Sequence, residues 1–599
     1  MESSGIQQAL PVSKKPDPAK APQEVRYGVR ETLETIAFVV SLVLMLKAFV
    51  AEAFVIPTGS MATTLLGEHN HVTCDRCRYH FLVNNQINTQ RRAPGLAICP
   101  NCQQQIAIGA PMPEGGDKVL VLKPQYDFWQ PERHDTIVFK YPGDPLYLTQ
   151  AGFMQPESGN KRVGGPQEDF GPKNFIKRLW GLPGEKLAIH YGDIYLVVPD
   201  GKGGEQLQVI PRKPNVIMAM RRIVNDNDFQ APQAKPPITS RWHSGVSCLD
   251  GPTPTAWQAN QDRKVFTSQA KPTTQWLRYQ HVLQSTGKFA RERHDPQGPL
   301  HVNVNPQLIT DFLDYNAGDQ ADHWVGDLML DLFVKAQKNE GELLLEIRSG
   351  VDCYRASFQL AQKECQLSLI RKGQLITLAN AKQNANLSPG KEHHIRFAAF
   401  DQRLIVWLDG QLLFGDGVSV PPQIAEDRGP RLADLFPVAI GAKQAEVTVS
   451  RLQIWRDVYY TRTSHADVDI SDGILNLSYD EINKRIQVQL ASAQAPGAGP
   501  LSAQEWALHQ LRAPEWNAFY PSGVVVADKV GYMKGPEYYP KQDPKWHPSD
   551  RFEADEYFAL GDNSVASKDS RYWGQVYHRL LLGKAVCVYW PWERWLLIR

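Results

Sequence analysis

Apolar and polar positions alternate differently in different parts of this chain. From Ile36 to Val50 the residues are apolar, interrupted by Ser41 and Lys47. A membrane-spanning helix needs about 20 residues. A span is therefore predicted over 35–54, with Lys47 snorkelling toward the far interface. Beyond it the period becomes two. Gly116–Val121, Asp135–Pro142 and Gly192–Leu196 read as strands by alternation and β-branching. The alternation is strongest over 273–461: Leu328, Leu330, Leu332 and Val334; then Ile395, Phe397 and Ala399; then Leu404, Val406 and Leu408. Asp409-Gly410 is a two-residue hairpin signal before Gln411–Phe414. Val447–Trp455 closes the region as a further strand. The predicted fold class is mainly β, with one N-terminal transmembrane helix.

Composition changes this picture little. The 43 prolines and 44 glycines suit many turns. A net charge of +1 gives no reason to expect a nucleic-acid partner. Residues 1–34 are polar and Pro-, Ala- and Lys-rich, a disordered tail by composition. There Lys14, Lys15, Lys20, Arg26 and Arg30 outnumber Glu2, Asp17 and Glu24, which keeps this end cytoplasmic. The chain after the span would then lie on the exoplasmic side. Ala51-Glu52-Ala53 also has the small-x-small form of a signal-peptide cleavage site, so a cleaved signal is the alternative to a retained anchor. Ala491–Pro500 reads as a linker.

Eight cysteines do not make a disulfide scaffold. Four of them, Cys74, Cys77, Cys99 and Cys102, form C-x2-C-x21-C-x2-C, close to zinc-ribbon spacing. Four thiolates would make a closed structural zinc site. Two disulfides, or a redox pair, are the alternative on an oxidising side of the membrane. Cys353 and Cys365 are a further candidate pair.

Three dense stretches carry the chemistry. They are Ile56-Pro57-Thr58-Gly59-Ser60-Met61, then Phe175 to Gly184 (FIKRLWGLPG), then Gly561 to Arg571 (GDNSVASKDSR). In this order, after an apolar segment, they resemble the signature of type I signal peptidases, membrane-bound serine proteases that remove signal peptides. The matching regions cover about a third of the chain. The resemblance implies Ser60 as nucleophile and Lys177 as general base, a Ser-Lys variant of triad logic. A lysine ordinarily titrates near pH 10.4 and can act as a base only if burial lowers that value. Thr58 stands where the family often has serine, donating to the oxyanion beside the Ser60 N–H. Ser567 falls where the family's serine bonds the lysine. Asp562, Asp569 and Arg571 would support that box. Ser564-Val565-Ala566 departs from the commoner Arg-Asp-Asn. Ile56, Leu65 and Ile176 would line shallow pockets for small substrate residues, with core packing the competing explanation. No cofactor is expected for catalysis.

The strands His394–Phe414 and Val447–Trp455 resemble the laminin-G/concanavalin-like jelly roll; another β sandwich is the alternative. The expected organisation is a tail (1–34), an anchor (35–54), a nucleophile segment (55–70) and a zinc-ribbon-like insert (71–110). A lysine-box segment (111–200), an unassigned insert (201–272), the sandwich (273–461), a linker region (462–518) and the last catalytic segment (519–599) follow. The activity implied is endopeptidase cleavage of exported preproteins after small-x-small motifs, in contact with membrane lipid, at an inner membrane. One rival is a self-cleaving Ser-Lys repressor, which lacks an anchor. The other is a membrane-anchored binding or scaffold protein with an inactive core, whose jelly roll takes an unidentified ligand.

Overall fold

A computed structural model describes residues 28–85, 96–109, 113–141, 173–230, 240–244, 257–282, 308–316, 323–381, 384–423, 427–461, 531–533, 552 and 554–598. The expected linker at 491–500 lies outside them. The chain divides into two compact units, residues 1–52 and residues 53–599.

The described part of the first unit is a helix, Val29–Met45, continued by a π turn, Leu46–Val50. It starts earlier than the apolar run predicts. Glu31 sits in the first turn, where an acidic side chain suits the helix dipole. Thr35 donates its hydroxyl back to the Glu31 carbonyl. Residues 29–34, expected in a disordered tail, are therefore helical. At the other end, Ala51–Val55 is a strand, so 51–54 do not belong to the helix. No helix among the described residues is by itself long and apolar enough to cross a membrane.

The second unit is mainly β. One part of it is an eight-stranded sheet ordered Ala51–Val55, Lys118–Leu122, Leu581–Trp590, Thr136–Lys140, Asn174–Gly181, Glu556–Leu560, Val576–Tyr577, with Leu596–Leu597 paired to Leu581–Trp590. Three distant pieces of sequence thus meet in one sheet. Asn174–Gly181 is central, and Lys177 lies opposite Ile137. Interior residues Val119, Val121, Val138, Ile176, Ala585 and Val588 pack with Ile56, Met61 and Leu65 beneath the nucleophile segment. A smaller four-stranded sheet, with Leu187–His190 and Asp193–Pro199 at its centre, lies beside it in sequence.

The alternating region forms a sandwich of a nine-stranded and a seven-stranded sheet, each antiparallel in its described pairings. The period-two residues face inward as predicted: Leu328, Leu330, Leu332, Val334, Ile395, Phe397, Ala399, Leu404, Val406 and Leu408 share one buried cluster. Trp407 pairs with Leu412 across the Asp409-Gly410 turn, whose residues take φ 51° and 83°, as a right-twisted two-residue hairpin requires.

Two expectations change. The stretch 201–272 is not a separate insert. Arg222–Asp226 and Phe266–Ser268 pair with Val447–Arg456, and Trp242–Ser244 pairs with Gln275–Tyr279. Its short strands sit between prolines and turns, so no window shows a clear period. Cys353 and Cys365 do not pair with each other. Cys353 faces Ile370 and Cys365 faces Phe358 on the paired strands, so the two are several rungs apart.

Candidate active site

Pro57 precedes, and Gly59 opens, a short 3-10 turn, Gly59–Met61, that carries Ser60. The turn needs glycine for space. A Cβ at Gly59 would come 2.4 Å from the Tyr315 ring and 2.9 Å from Asn84 Nδ2. Ser60 is buried, and its Oγ lies 2.7 Å from Lys177 Nζ. The two residues are 117 positions apart; the central strand brings the amine to the turn. Lys177 also donates to the Ile176 carbonyl at 2.9 Å. Burial pushes its pKa down to about 8, against the pull of the Asp569 and Asp562 carboxylates. The Thr58 hydroxyl reaches Ser60 Oγ only at 3.5 Å.

Behind the pair stand two buried ion pairs. Arg178, next to Lys177 on the strand, binds Asp562 through Nε at 2.8 Å and Nη2 at 2.7 Å. Burial opposes the ionised Asp562 carboxyl, but the Arg178 guanidinium outweighs it and holds the pKa below the usual carboxylate value. Arg571 binds Asp569 through Nε at 3.0 Å and Nη2 at 2.8 Å, and Asp569 accepts the Gly561 N–H at 3.0 Å. Asp569 and Arg571 are thus partners, as expected, while Asp562 has its own partner in Arg178.

Ser567 differs from expectation. It is fully buried, and its Oγ has no hydrogen-bond partner among the described residues. It makes no bond to Lys177, whose amine is engaged by Ser60 and the Ile176 carbonyl. Instead the hydroxyl is packed against Gly561, where a Cβ would meet Ser567 Oγ at 2.1 Å and the Ser60 carbonyl at 2.5 Å. Ile56, Leu65 and Ile176 fall together in one buried apolar cluster; Leu65 has no exposed surface.

Sequence reasoning missed three residues that tie the site together. Arg222, from the sandwich, donates through Nη2 to the Ala62 carbonyl at 2.6 Å and to the Asp562 carbonyl at 2.8 Å. Asn563 donates its backbone N–H to the Ser60 carbonyl and Nδ2 to the Gly59 carbonyl, both at 3.0 Å. Asn316, from the sandwich region, pairs with the Asn563 amide. Asn563 stood in a recognised box and could have been singled out; Arg222 and Asn316 carry no local signal.

Apart from this site, Cys74, Cys77, Cys99 and Cys102 are buried and free, with one sulfur from each lying within 4.8 Å of all the others. The close pairs, Cys74–Cys102 and Cys77–Cys99, are 3.5 Å apart, too far for a disulfide and between opposite knuckles. Two hairpins, His69–Thr73 with His80–Asn84 and Leu96–Ile98 with Gln105–Ala107, carry the knuckles. The donor set fits a tetrahedral structural zinc.

A buried lysine amine whose pKa is lowered, set against a serine hydroxyl, is a geometry in which the amine can take the hydroxyl proton once it is deprotonated. The family described as signal peptidase, peptidase S26, matches residues 102–220 and 510–590, a third of the chain, and relates this protein to signal peptidases. Those segments hold Lys177 and the Gly561–Arg571 box; Ser60 lies before them and is joined to them by geometry. No curated protein sequence matches the chain. Solved structures similar to it include a carbohydrate-binding module from Bacillus subtilis (10% identity, 36% of this chain and 95% of that one, TM-score 0.22). A galectin from Caenorhabditis elegans (10%, 22% and 86%, TM-score 0.17) and a β-glucanase from Bacillus licheniformis (8%, 36% and 93%, TM-score 0.21) are others. With scores this low, the sandwich architecture rests on its own strand pairing.

Proposed function

We propose that this protein is a membrane-anchored serine endopeptidase that removes signal peptides from exported preproteins after small-x-small motifs. The observation that carries the reading is the 2.7 Å approach of a fully buried Lys177 amine to Ser60 Oγ. Neutral Lys177 accepts the Ser60 proton as Oγ attacks the scissile carbonyl. The oxyanion that forms is met by the Ser60 N–H and the Thr58 hydroxyl; donors of this kind stabilise a transition state by about 3 kcal/mol each. The protonated amine then gives its proton to the leaving nitrogen, and the same amine activates the water that hydrolyses the acyl-enzyme. Ile56 and Ile176 form the apolar floor against which small substrate side chains lie.

The N-terminal helix is the anchor. Its apolar side chains are exposed all round, from Leu33 through Phe38 to Phe49, and an apolar surface of that extent calls for lipid or protein cover. The catalytic part then lies on the exoplasmic side. The four cysteines hold zinc as a structural ion that fixes the ribbon and takes no part in the reaction. The sandwich is read as a laminin-G-like module. The test is cleavage of a model preprotein by the purified, detergent-solubilised protein. Release of the signal peptide that is lost with Ser60→Ala supports the reading. A folded protein without turnover on any Ala-x-Ala substrate leaves the anchored scaffold as the function.

A further inference from the structure

A backbone N–H can stabilise an oxyanion only if its peptide plane is held. In a trans peptide the carbonyl and the N–H point in opposite directions within one rigid plane. The Ser60 N–H therefore takes its direction from the Gly59 carbonyl. That carbonyl accepts a hydrogen bond from Asn563 Nδ2 at 3.0 Å. Asn563 is in turn held by Asn316. Asn563 Nδ2 donates to Asn316 Oδ1 at 2.7 Å, and Asn316 Nδ2 donates to Asn563 Oδ1 at 3.0 Å. Both amides are buried, about 1% exposed. This reciprocal pair decides which end of the Asn563 amide faces Gly59. Turned over, Asn563 would set its own carbonyl oxygen against the Gly59 carbonyl, which would then keep only the Ala62 N–H, at 3.0 Å, as a donor.

Asn316 does not belong to the catalytic sheet. It lies seven residues beyond Ile309, which packs in the sandwich core. Arg456, on the closing sandwich strand, donates to the Asp311 carbonyl at 2.8 Å and the Phe312 carbonyl at 2.6 Å. The neighbouring Tyr315 ring closes over Gly59, as the 2.4 Å approach of a Cβ there requires. The inserted sandwich thus reaches the one peptide plane on which the oxyanion donor depends.

We propose that Asn316 is a positioning residue for the oxyanion site: through the Asn563 amide it fixes the Gly59 carbonyl and so aims the Ser60 N–H. This rests on the reading of Ser60 as nucleophile. It has a consequence for the insert as a whole, which completes the catalytic centre instead of merely hanging from it.

The experiment is steady-state cleavage of a peptide containing Ala-x-Ala by full-length protein, with inhibition by the corresponding peptide aldehyde as a tetrahedral mimic. Asn316→Ala should lower kcat by about tenfold to a hundredfold, since a misaimed donor forfeits most of what a lost one does. KM should stay within about twofold, aldehyde affinity should fall in step with kcat, and the acidic limb should stay near pH 8, where burial of Lys177 sets it. Two isosteric variants keep the test decisive if the alanine variant does not fold. Asn316→Asp retains the acceptor for Asn563 Nδ2 but sets an oxygen against Asn563 Oδ1, so it should recover only part of kcat. Asn563→Asp removes the donor to Gly59 and should recover none. Equal kcat in these two, or an Asn316→Ala kcat within about twofold of the parent, overturns the inference. If Ser60→Ala leaves cleavage intact, the nucleophile assignment itself has failed, which is a separate result.

Discussion

The Lys177 pKa is lowered to about 8 by where the amine lies. Burial is the largest influence on it, and the nearby Asp562 and Asp569 carboxylates pull the other way. Each carboxylate is already paired with a guanidinium, Arg178 and Arg571 respectively, which blunts that pull. With the amine at about pH 8, kcat/KM should fall close to tenfold per unit as pH drops below 8. A profile flat to pH 5, or a limb at the ordinary lysine value, would remove Lys177 from the role of base. The same displacement has a stability sign. The folded pKa lies below the unfolded one, so folding is penalised wherever the amine must be charged. The penalty is full below pH 8, about 3 kcal/mol, and vanishes as pH rises toward 10.5. Lys177→Met should therefore raise the Tm at pH 7, with the gain shrinking toward pH 10.5, while abolishing cleavage. A variant no more stable than the parent at pH 7 would mean that the amine is better solvated than its burial implies. Ser60 and Lys177 were legible in sequence because short boxes surround them. Arg222 and Asn316 were not, since their partners Ala62 and Asn563 are 160 and 247 positions away and nothing local marks them.

At the scale of elements, the ribbon shows how spacing can specify geometry. Each C-x2-C turn ends in a left-handed residue, Arg78 at φ 67° and Gln103 at φ 61°, and each donates its N–H back to the first cysteine's carbonyl at 3.0 and 2.8 Å. Matching knuckles place four sulfurs around one point, which the repeated motif foretold. The connections to the rest of the protein were not foretold. Asn101, between Cys99 and Cys102, accepts from Asn225 Nδ2 at 2.7 Å and the Asp226 N–H at 2.9 Å, and so fastens the second knuckle to the first strand of the sandwich. Asn84, at the end of the other hairpin, lies against Gly59. We predict about one zinc per chain by metal analysis, lost in Cys74→Ser with Cys99→Ser. Chelation should lower the Tm and reduce kcat without moving the acidic limb, because the ribbon supports the turn that carries Ser60 and leaves the burial of Lys177 alone. Metal-free protein whose mass shows Cys74–Cys77 and Cys99–Cys102 oxidised would replace the zinc reading with disulfides.

Across the whole molecule, the β character and the inward residues of the sandwich were visible in the alternation, while its boundary was not. Sequence period places the start near 273, but the sheet pairing places it at Arg222. The reason is physical: the strands Arg222–Asp226, Trp242–Ser244, Trp257–Ala259 and Phe266–Ser268 have only three to five residues each, too few to show a period. Yet they seal the core. Val224, Trp242, Trp257 and Phe266 are buried in the same cluster as Leu330 and Phe397. Ser268 adds hydrogen bonds in both directions, donating to the Ala445 carbonyl at 3.0 Å and accepting the Val447 N–H at 3.0 Å. Deleting a buried Trp or Phe side chain costs about 3–5 kcal/mol. Losing these four residues with their strands removes on the order of 10 kcal/mol, comparable to the whole stability of a domain. Residues 273–461 expressed alone should therefore fail to give a cooperative thermal transition, whereas residues 210–461, which keep the buried Arg212 beside Asp401 and Asp457, should give one. The longer piece also keeps the helix Pro214–Met220, whose Ile217 shares a buried cluster with Met329 and Ile405. If the shorter piece unfolds cooperatively with a Tm near that of the longer one, the early strands are ornaments on a core that closes without them, and the boundary read from alternation was the true one.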